Sequence, residues 1–471
     1  MNLKLLIVED DSDFVIELIG IVNKLDSNAE CAVAGSRDSA LEKISSEFFD
    51  LLLIDLNIPT VDDALDGNPV HGHSVFANAR VNASGTPVIV LTGSSAEEYI
   101  SSLLENSTIT DIWGSGIPVP TVAFHKKHKL DSFPSVFKTY AEQILKLQEV
   151  EIIRNGVHLS EPEERLVRIF ARKMGGTKLN LSEISGGLSE SRVLRLRITD
   201  ANGSLIHDTI CKIGPQEAIR DEDDRFSIYI SRLRSEATPR KLAVHEYGAK
   251  KTSGVFYSLA EGFELNAFDL GVLTKSPGEF IQRLEQLLFR WVNTGESPKQ
   301  VSEIRRQLLD DDKHQEFLQH VSWAESFESK VIQVKWGCAH GDLHGLNILV
   351  SNSGVPTLID YGDVGDGPSS IDPVTLELCL FFHPQGPLKT AEWPTTLQAQ
   401  QWGDLNIYLQ GCPYPEFVRA CREWALRVAA GDREVAAVAY SYLVRQMKYP
   451  GVDKVRVFAL IEGVKAFYDQ T

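Results

Sequence analysis

The chain has 471 residues, 43% of them hydrophobic, so it has room for two or three domains that each bury a core. The formal charge of −18 excludes nonspecific binding to nucleic acid through a basic surface. The six cysteines form no C-x-x-C pair, which argues against a zinc site and a disulfide framework. No apolar run approaches the roughly 18 residues of a membrane helix, and the chain turns acidic where a signal peptide stays apolar, so we expect a cytoplasmic protein without a membrane contact.

Most of the negative charge lies in the first third of the chain. Residues 1–150 contain 10 Lys and Arg against 22 Asp and Glu, a balance of −12, which leaves −6 for the rest. A surface of this sign repels DNA and attracts cations. The first domain is therefore a candidate for binding a metal ion.

Apolar runs and helical patterns alternate through residues 1–150. The predicted strands cover 3–8, 31–34, 51–54, 88–91 and 119–124, and the predicted helices cover 14–25, 39–48 and 133–149. Strands that alternate with helices pair in parallel, with helices on both faces of the sheet. We therefore predict a doubly wound α/β domain in which the carboxyl ends of the strands meet at one edge.

Polar side chains follow the strands at that edge. Glu9 and Asp10 come after the first strand, Asp55 after the third and Thr92 after the fourth, and a lysine follows the last. Three carboxylates in one crevice repel each other unless a cation binds, so Mg²⁺ is the expected ligand. The alternative is a flavodoxin-like binding domain whose acids are only solvated strand ends.

This order of residues resembles the receiver domain of two-component response regulators, which has a flavodoxin-like fold, over essentially all of residues 1–150. The resemblance implies that Asp55 accepts a phosphoryl group from an upstream sensor histidine kinase. It also implies that Glu9, Asp10 and Asp55 bind Mg²⁺. Thr92 would sense the phosphoryl group, and a lysine would pair with it.

The identity of that lysine is open between two neighbours. Receivers usually place an aromatic residue three positions before it, and Phe124 lies three before Lys127, which favours Lys127 over Lys126. The sequence also departs from the pattern twice. The loop after the third strand, Pro59 to Gly72, is long, and His128 stands where proline is commonest.

A helical connector is predicted over residues 151–176. Ser160 and Glu163 form a capping-box pattern at the start of a helix, and Gly175-Gly176 ends it. The segment is not rich in Gly, Ser or Pro, so we expect a rigid connector that can transmit a signal.

The apolar runs that follow the connector predict a small antiparallel sheet. Gly186 and Gly187 form the turn between its first two strands, where glycine lets the backbone approach phosphate oxygens closely. Lys212 lies on the next strand, and the helical pattern of 218–233 places Glu222 on its apolar stripe. A plain hairpin turn and a solvated acidic helix face are the alternatives.

The stretch from Trp336 to Gly365 sets His340, Asp342 and Asn347 in the pattern H-x-D-x-x-x-x-N, and two apolar runs then lead to Asp360. Phosphoryl transfer needs a carboxylate for the acceptor hydroxyl and hard oxygen ligands that hold Mg²⁺ against the nucleotide. Asp342 is placed for the first task, and Asn347 and Asp360 for the second. The alternative is a polar turn between buried strands with His340 as a core histidine.

The same stretch resembles the catalytic loop of the aminoglycoside phosphotransferase and choline kinase branch of the protein-kinase-like fold. The resemblance implies an α+β bilobal domain over residues 177–471, with an N-lobe at about 177–263, a C-lobe at about 264–471, and bound ATP and Mg²⁺. The architecture and the IDYGDVG segment further resemble the ternary complex associated domain of bacterial conflict and signalling systems.

The resemblance also implies roles for single residues. Asp342 would be the catalytic base, with His340 beside it in the loop, and Asp372 would brace the loop from behind. Lys212 would pair with the nucleotide phosphates, and Glu222 would hold that lysine. The alternative to Glu222 is Glu236.

The expected function is a response regulator whose output is an ATP- and Mg²⁺-dependent phosphotransferase, gated by phosphorylation of Asp55. Its acceptor, an alcohol or amine on a small molecule or a protein, is not specified by any pattern. A nucleotide-binding scaffold without transfer and a nucleotidyl transferase are the alternatives. The oligomeric state is open, with a homodimer among the options.

Overall fold

The computed structural model describes residues 2–93, 107–185, 191–235, 237–259, 262–292, 294–318 and 320–471. The chain divides into two compact units. The first unit comprises Met1–Arg220 and Lys241–Leu259, and the second comprises Asp221–Arg240 and Ala260–Thr471. The parallel domain, the connector and most strands of the following antiparallel sheet therefore belong to one compact unit.

The first domain is a five-stranded parallel sheet. Its elements are β1 (Lys4–Val8), α1 (Ser12–Leu25), β2 (Glu30–Ala34), α2 (Arg37–Ser46), β3 (Leu51–Asp55), α3 (Pro69–Asn82), β4 (Val88–Thr92), a small pair β5 (Ile109–Thr110) and β6 (Val119–Pro120), β7 (Val122–Lys126) and α4 (Phe133–Leu145). The strand order is β2-β1-β3-β4-β7. The predicted doubly wound fold is confirmed, because parallel strands need helical crossovers and the crossovers cover both faces.

The core of this sheet follows from side chains that alternate between its two faces. Leu5 and Leu53 pack on one side, against α1 and α4. Leu6 and Ile54 pack on the other side, against α2 and α3. Because both faces are buried, the strands are apolar throughout and only their ends carry polar groups.

A second sheet, antiparallel except at one edge, follows the connector. Its elements are β8 (Glu151–Ile153), α5 (Glu161–Lys173), β9 (Lys178–Ser185), β10 (Arg192–Thr199), β11 (Leu205–Pro215), α6 (Gln216–Ile228), β12 (Arg240–His245) and β13 (Thr252–Ser258). The strand order is β12-β13-β11-β10-β9-β8. Strand β8 was not predicted. It lies in the expected connector, and its three residues pair in parallel with β9.

Helix α5 packs on both sheets of the first unit. Ile169 belongs to the core of the parallel domain, whereas Leu166 and Phe170 belong to the core of the second sheet. The ring of Phe170 stacks on Phe256 of β13, with 3.9 Å between ring centroids. Residues of the connector are therefore part of the cores of both sheets.

The second unit is mainly helical. Its further elements are β14 (Phe263–Asn266), α7 (Leu270–Thr274), α8 (Pro277–Val292), β15 (Glu296–Gln300), α9 (Val301–Arg306), α10 (Asp311–Leu318), α11 (Ala324–Glu328), β16 (Val331–Ala339), β17 (Ile348–Ser351), β18 (Pro356–Leu358), β19 (Gly365–Pro368), α12 (Ile371–Phe382), α13 (Thr396–Ala399), α14 (Leu405–Tyr408), α15 (Pro415–Val428), α16 (Asp432–Gln446) and α17 (Lys454–Gln470). In the part of the chain that the structure describes, no helix is both long and apolar enough to span a bilayer.

The predicted hairpin after the H-x-D motif is present. Strands β17 and β18 pair antiparallel, with Ile348 opposite Leu358. The loop that carries the H-x-D motif begins at the end of β16 and leads into this hairpin. Strand β19 follows the hairpin along the chain and pairs antiparallel with β16. A sheet followed by this loop, hairpin and helical bundle is the order of a protein-kinase-like fold, which confirms the predicted fold class.

Candidate active sites

The loop between β16 and β17 is held from behind by Asp372, the second residue of α12. One carboxylate oxygen of Asp372 accepts a hydrogen bond from the His340 amide at 2.8 Å, and the other accepts from the Gly341 amide at 3.0 Å. Burial raises the pKa of Asp372, and the two amide donors oppose that rise. The backbone at the start of the loop is thereby fixed to α12.

Gly341 is required where it stands. Its φ is +81°, and a Cβ at this position would come within 2.5 Å of the Asp363 carbonyl oxygen. A side chain would therefore be both strained and obstructed. The close approach brings the loop against the segment that carries Asp360.

His340 braces the loop from inside. Its side chain is fully buried, and its Nε2 lies 3.0 Å from the carbonyl oxygen of Ile359. A ring without exposed surface cannot touch an acceptor substrate. The buried His340 ring is therefore placed to position the loop, and the role predicted for His340 among the catalytic residues stays a prediction.

Asp342 and Asn347 lie at the two ends of the loop and are bonded to each other. Asn347 Nδ2 donates to the Asp342 carbonyl oxygen at 2.9 Å, so the amide nitrogen is used and the amide oxygen is the atom left for a metal. The Ile359 amide donates to the Asn347 carbonyl at 3.0 Å, which places Asp360 next to this loop. The structure thus brings the three predicted residues together.

Asp360 has an unusual backbone. Its φ of +62° lies in the left-handed region, which costs a non-glycine residue free energy. The neighbouring Tyr361 is buried, and its hydroxyl donates to the Leu358 carbonyl at 2.6 Å, which holds the strained segment. Asp363 is exposed, and partial desolvation and the nearby carboxylates Asp342 and Asp360 raise its pKa, whereas Arg445 opposes the rise. The site is therefore crowded with negative charge, and a divalent cation would relieve the repulsion.

Only some of the site residues predicted in the second sheet and in helix α6 lie within the described part of the chain. Lys212 is largely buried on β11, where it lies opposite Val193 and Val255. Glu222 is fully buried on α6, which argues against the solvated-face alternative. Gly186, Gly187 and the alternative Glu236 lie outside the described residues.

At the edge of the parallel sheet, a lysine joins two of the predicted carboxylates. Lys127 Nζ lies 2.8 Å from Asp55 Oδ2 and 2.9 Å from Glu9 Oε1. Glu9 and Asp55 are each 2% exposed, so the ammonium compensates charges that water cannot reach. Lys126 is exposed and pairs in register with Thr92 at the end of β4.

The long loop after β3 is an ordered structure. The Thr60 amide and hydroxyl both donate to Asp66, at 3.0 and 2.6 Å, and Asp62 accepts from the Ser39 hydroxyl on α2. An isolated bridge between Ile58 and Asn68 closes its base. These contacts attach the loop to α2 and to the start of α3, beside the acidic edge.

Each part of the chain is similar to known proteins. The family model of the response regulator receiver domain matches residues 5–110. Residues 5–110 are a receiver domain. Comparison with curated proteins gives no significant match.

Solved structures resemble each part of the chain. The receiver domain protein (CheY-like) of Methanospirillum hungatei JF-1 is 22% identical and covers 31% of this chain and 99% of its own, with a TM-score of 0.23. The receiver domain of the sensor histidine kinase PA1611 of Pseudomonas aeruginosa PAO1, with magnesium in its active-site cleft, is 15% identical. The match covers 30% of this chain and 99% of that domain, with a TM-score of 0.21. A thermostable mutant of aminoglycoside phosphotransferase APH(4)-Ia, bound to ADP and hygromycin B, is 14% identical. The match covers 64% of this chain and 97% of that protein, with a TM-score of 0.39. None of these likenesses transfers an activity to this chain.

The receiver domain has a donor set that suits Mg²⁺. One ligand atom each of Glu9, Asp10 and Asp55 lies within 4.8 Å of the others. Both carboxylate oxygens of Glu9 lie within 2.9 Å of Lys127 Nζ, so a bound Mg²⁺ would share Glu9 with the ammonium. Carboxylate oxygens are the ligands that Mg²⁺ prefers, so the residues present fit this ion.

We expect Mg²⁺ binding to the receiver domain to weaken as the pH falls. Burial and the neighbouring Asp55 raise the pKa of Glu9 to about 7, although Lys127 opposes the rise. Mg²⁺ needs the deprotonated carboxylate and must displace the proton below that pKa. The dissociation constant measured by calorimetry should therefore be about tenfold larger at pH 6 than at pH 8. Glu9→Gln should bind Mg²⁺ more weakly and remove this pH dependence, and a flat profile for the wild type would contradict the prediction.

Three residues near Asp342 were missed by the sequence analysis. Arg445, 103 residues further along the chain, donates from Nη1 to Asp342 Oδ1 at 3.4 Å. His344 Nε2 lies 3.7 Å from the other oxygen, and the His344 ring lies 4.5 Å from that of His383. His344 is within the motif segment and could have been singled out. No local sequence pattern indicates a role for Arg445 or His383.

Proposed function

We propose that this chain is a response regulator whose output is an ATP- and Mg²⁺-dependent phosphotransferase. The observation that carries the proposal is the loop in which Asp372 fixes the backbone before Asp342 and in which the Asn347 amide oxygen is left for a metal. Phosphoryl transfer depends mainly on such positioning and on charge neutralisation. A cytoplasmic location, where ATP is made and used, is part of the proposal.

The proposed roles follow from the chemistry of each group. Asp342 accepts the proton of the acceptor hydroxyl, and Asn347 and Asp360 bind Mg²⁺, which neutralises charge on the ATP phosphates. Lys212 on β11 is proposed to pair with the phosphates, and Glu222 keeps the role that the resemblance gives it. Gly186 and Gly187 would form the turn whose backbone approaches the nucleotide phosphates.

In the receiver domain, we propose that Asp55 accepts a phosphoryl group from a sensor histidine kinase. Glu9, Asp10 and Asp55 hold Mg²⁺ for that step. Lys127, now bonded to Asp55, is the group that would pair with the phosphoryl oxygens, and Thr92 would respond to them. The sequence alternative Lys126 receives less support, because its side chain is exposed.

The packing of the first unit supports control of the output by the receiver domain. Lys250, in the turn between β12 and β13, donates to the carbonyl oxygens of Ser45 and Glu47 at the end of α2. The Gly85 amide donates to the Lys250 carbonyl at 2.6 Å. A displacement of α2 would therefore be passed directly to the second sheet, which carries Lys212.

The proposal is tested by following transfer of the labelled γ-phosphate of ATP into a metabolite extract and into added protein. Beryllofluoride-treated wild type, which mimics phospho-Asp55, and Asp55→Ala should differ by about 5- to 150-fold in transfer rate. Glu42→Ala, an exposed acid on α2, is the control and should behave as the wild type.

Gating by Asp55 and phosphoryl transfer are contradicted by different results. Identical rates for the mimic and Asp55→Ala would contradict the gating. Binding of ATP with neither a labelled product nor a product of changed mass would favour the scaffold alternative. A product whose mass includes the nucleotide would show nucleotidyl transfer.

A further inference from the structure

The charge beside Asp342 indicates what kind of acceptor this site takes. Arg445 lies in the last turn of α16 and contacts Asp342 Oδ1 at 3.4 Å. A charge-assisted hydrogen bond between such groups is normally about 2.7–2.9 Å long. The contact is therefore loose, and the guanidinium is not committed to Asp342.

Most donors of Arg445 remain available. A guanidinium has five N–H groups in a planar fork, and in the described part of the chain the side chain of Arg445 makes the single hydrogen bond to Asp342. Its side chain is 20% exposed, so the remaining donors can be reached from outside. Burial lowers the pKa of Arg445, but Asp342 and other neighbours raise it more, so the group is a permanent cation.

The chain segment that begins at Arg445 is basic, although Asp342 and Asp363 also lie near its guanidinium. Residues 445–456 contain four Lys and Arg and one Asp, whereas the whole chain has a charge of −18. Arg456 donates to the Ala391 carbonyl at 2.7 Å, so this basic segment touches the one that contains Lys389. Lys389 in turn acts electrostatically on His383.

The two imidazoles near Asp342 do not change this balance. Burial lowers the pKa of His344, and burial and His344 lower the pKa of His383 to about 4. The His344 and His383 rings are tilted by 43° to each other, and the Phe268 ring lies 5.4 Å from His383 with a tilt of 48°. Asp342 thus lies near two imidazoles whose pKa is lowered and near a permanent cation.

We propose that the acceptor is an alcohol that carries its own anionic group, a phosphate or a carboxylate, and that Arg445 binds this group. The inference rests on the proposed function. The acceptor oxygen forms a bond to the γ-phosphorus, the bond from that phosphorus to the β–γ bridging oxygen breaks, ADP leaves with the electron pair, and the hydroxyl proton passes to Asp342. A polycationic acceptor such as an aminoglycoside would offer no anion to Arg445.

The test measures binding of inorganic phosphate, the smallest probe of an anion site, to the full chain by calorimetry. Mg²⁺ and a nonhydrolysable ATP analogue are present, so that the γ-phosphate position is filled. Arg445→Met should weaken phosphate binding by about 10- to 100-fold, because it removes charge-assisted hydrogen bonds. Arg445→Lys should lie between the two, because it keeps the charge but loses the planar fork.

The control is Arg427→Met, which removes an arginine paired with Glu285 elsewhere in the second unit and should leave phosphate binding unchanged. Unchanged affinity for the ATP analogue in Arg445→Met shows that the variant is folded. Phosphate that binds equally to wild type and Arg445→Met, or that does not bind the wild type with the analogue in place, overturns the inference. Failure of the analogue itself to bind overturns the proposed function, and the inference with it.

Discussion

Asp342→Asn should reduce phosphoryl transfer by a factor on the order of 10²–10⁴, the usual contribution of a positioned general base. The substitution keeps the shape of the side chain and an oxygen that can accept from Arg445, but it removes the group that takes the acceptor proton. The hydrogen bond from Asn347 goes to the backbone carbonyl of residue 342 and is not altered. The loop should therefore keep its conformation but no longer contain a group that accepts the proton of the acceptor hydroxyl.

The measurement is transfer of the labelled γ-phosphate of ATP, together with the affinity for a nonhydrolysable ATP analogue. Asp342→Asn should change the first and leave the second within a few-fold of the wild type. Asp366→Asn, an exposed aspartate on the adjacent β19, is the matched control and should transfer normally. Near wild-type transfer by Asp342→Asn would remove Asp342 from the mechanism.

Arg165→Met should lower the free energy of unfolding of the first unit by about 3–5 kcal/mol, because it leaves a buried carboxylate without its partner. Arg165 on α5 donates twice to Asp50 before β3, at 2.6 and 2.9 Å, and once to the Asn2 carbonyl. The two side chains are 5% and 1% exposed. This pair joins the connector to the receiver domain in its interior.

Urea unfolding followed by tryptophan fluorescence measures the effect. Lys4→Met is the control, because Lys4 of β1 pairs with Glu161 of the same helix α5 near the surface and should contribute about 0–1 kcal/mol. The double variant Asp50→Leu with Arg165→Met should recover part of the loss, since no charge then stays buried. If Arg165→Met costs no more than Lys4→Met, the buried pair does not hold these elements together.

Local patterns were sufficient wherever the chemistry lies within a few residues of a strand end. Asp55 is the last residue of β3, and Asn347 directly precedes β17, so alternation and turn signals placed both. The choice between Lys126 and Lys127 needed the structure. The spacing from Phe124 only favoured Lys127, whereas the position of its ammonium on Asp55 and Glu9 is a contact between ends of separate strands.

The amino-acid sequence by itself determined the two folds and the polar groups at strand ends, because strand alternation, helical periodicity and turn residues are properties of short segments. Only the tertiary structure decided which distant groups meet. Strand β8 has three residues and exists through its pairing with β9, Arg165 reaches Asp50 across 115 positions, and Arg445 reaches Asp342 across 103. A buried or half-buried charge is stable only with its partner, and no local pattern specifies a partner that folding brings from elsewhere in the chain.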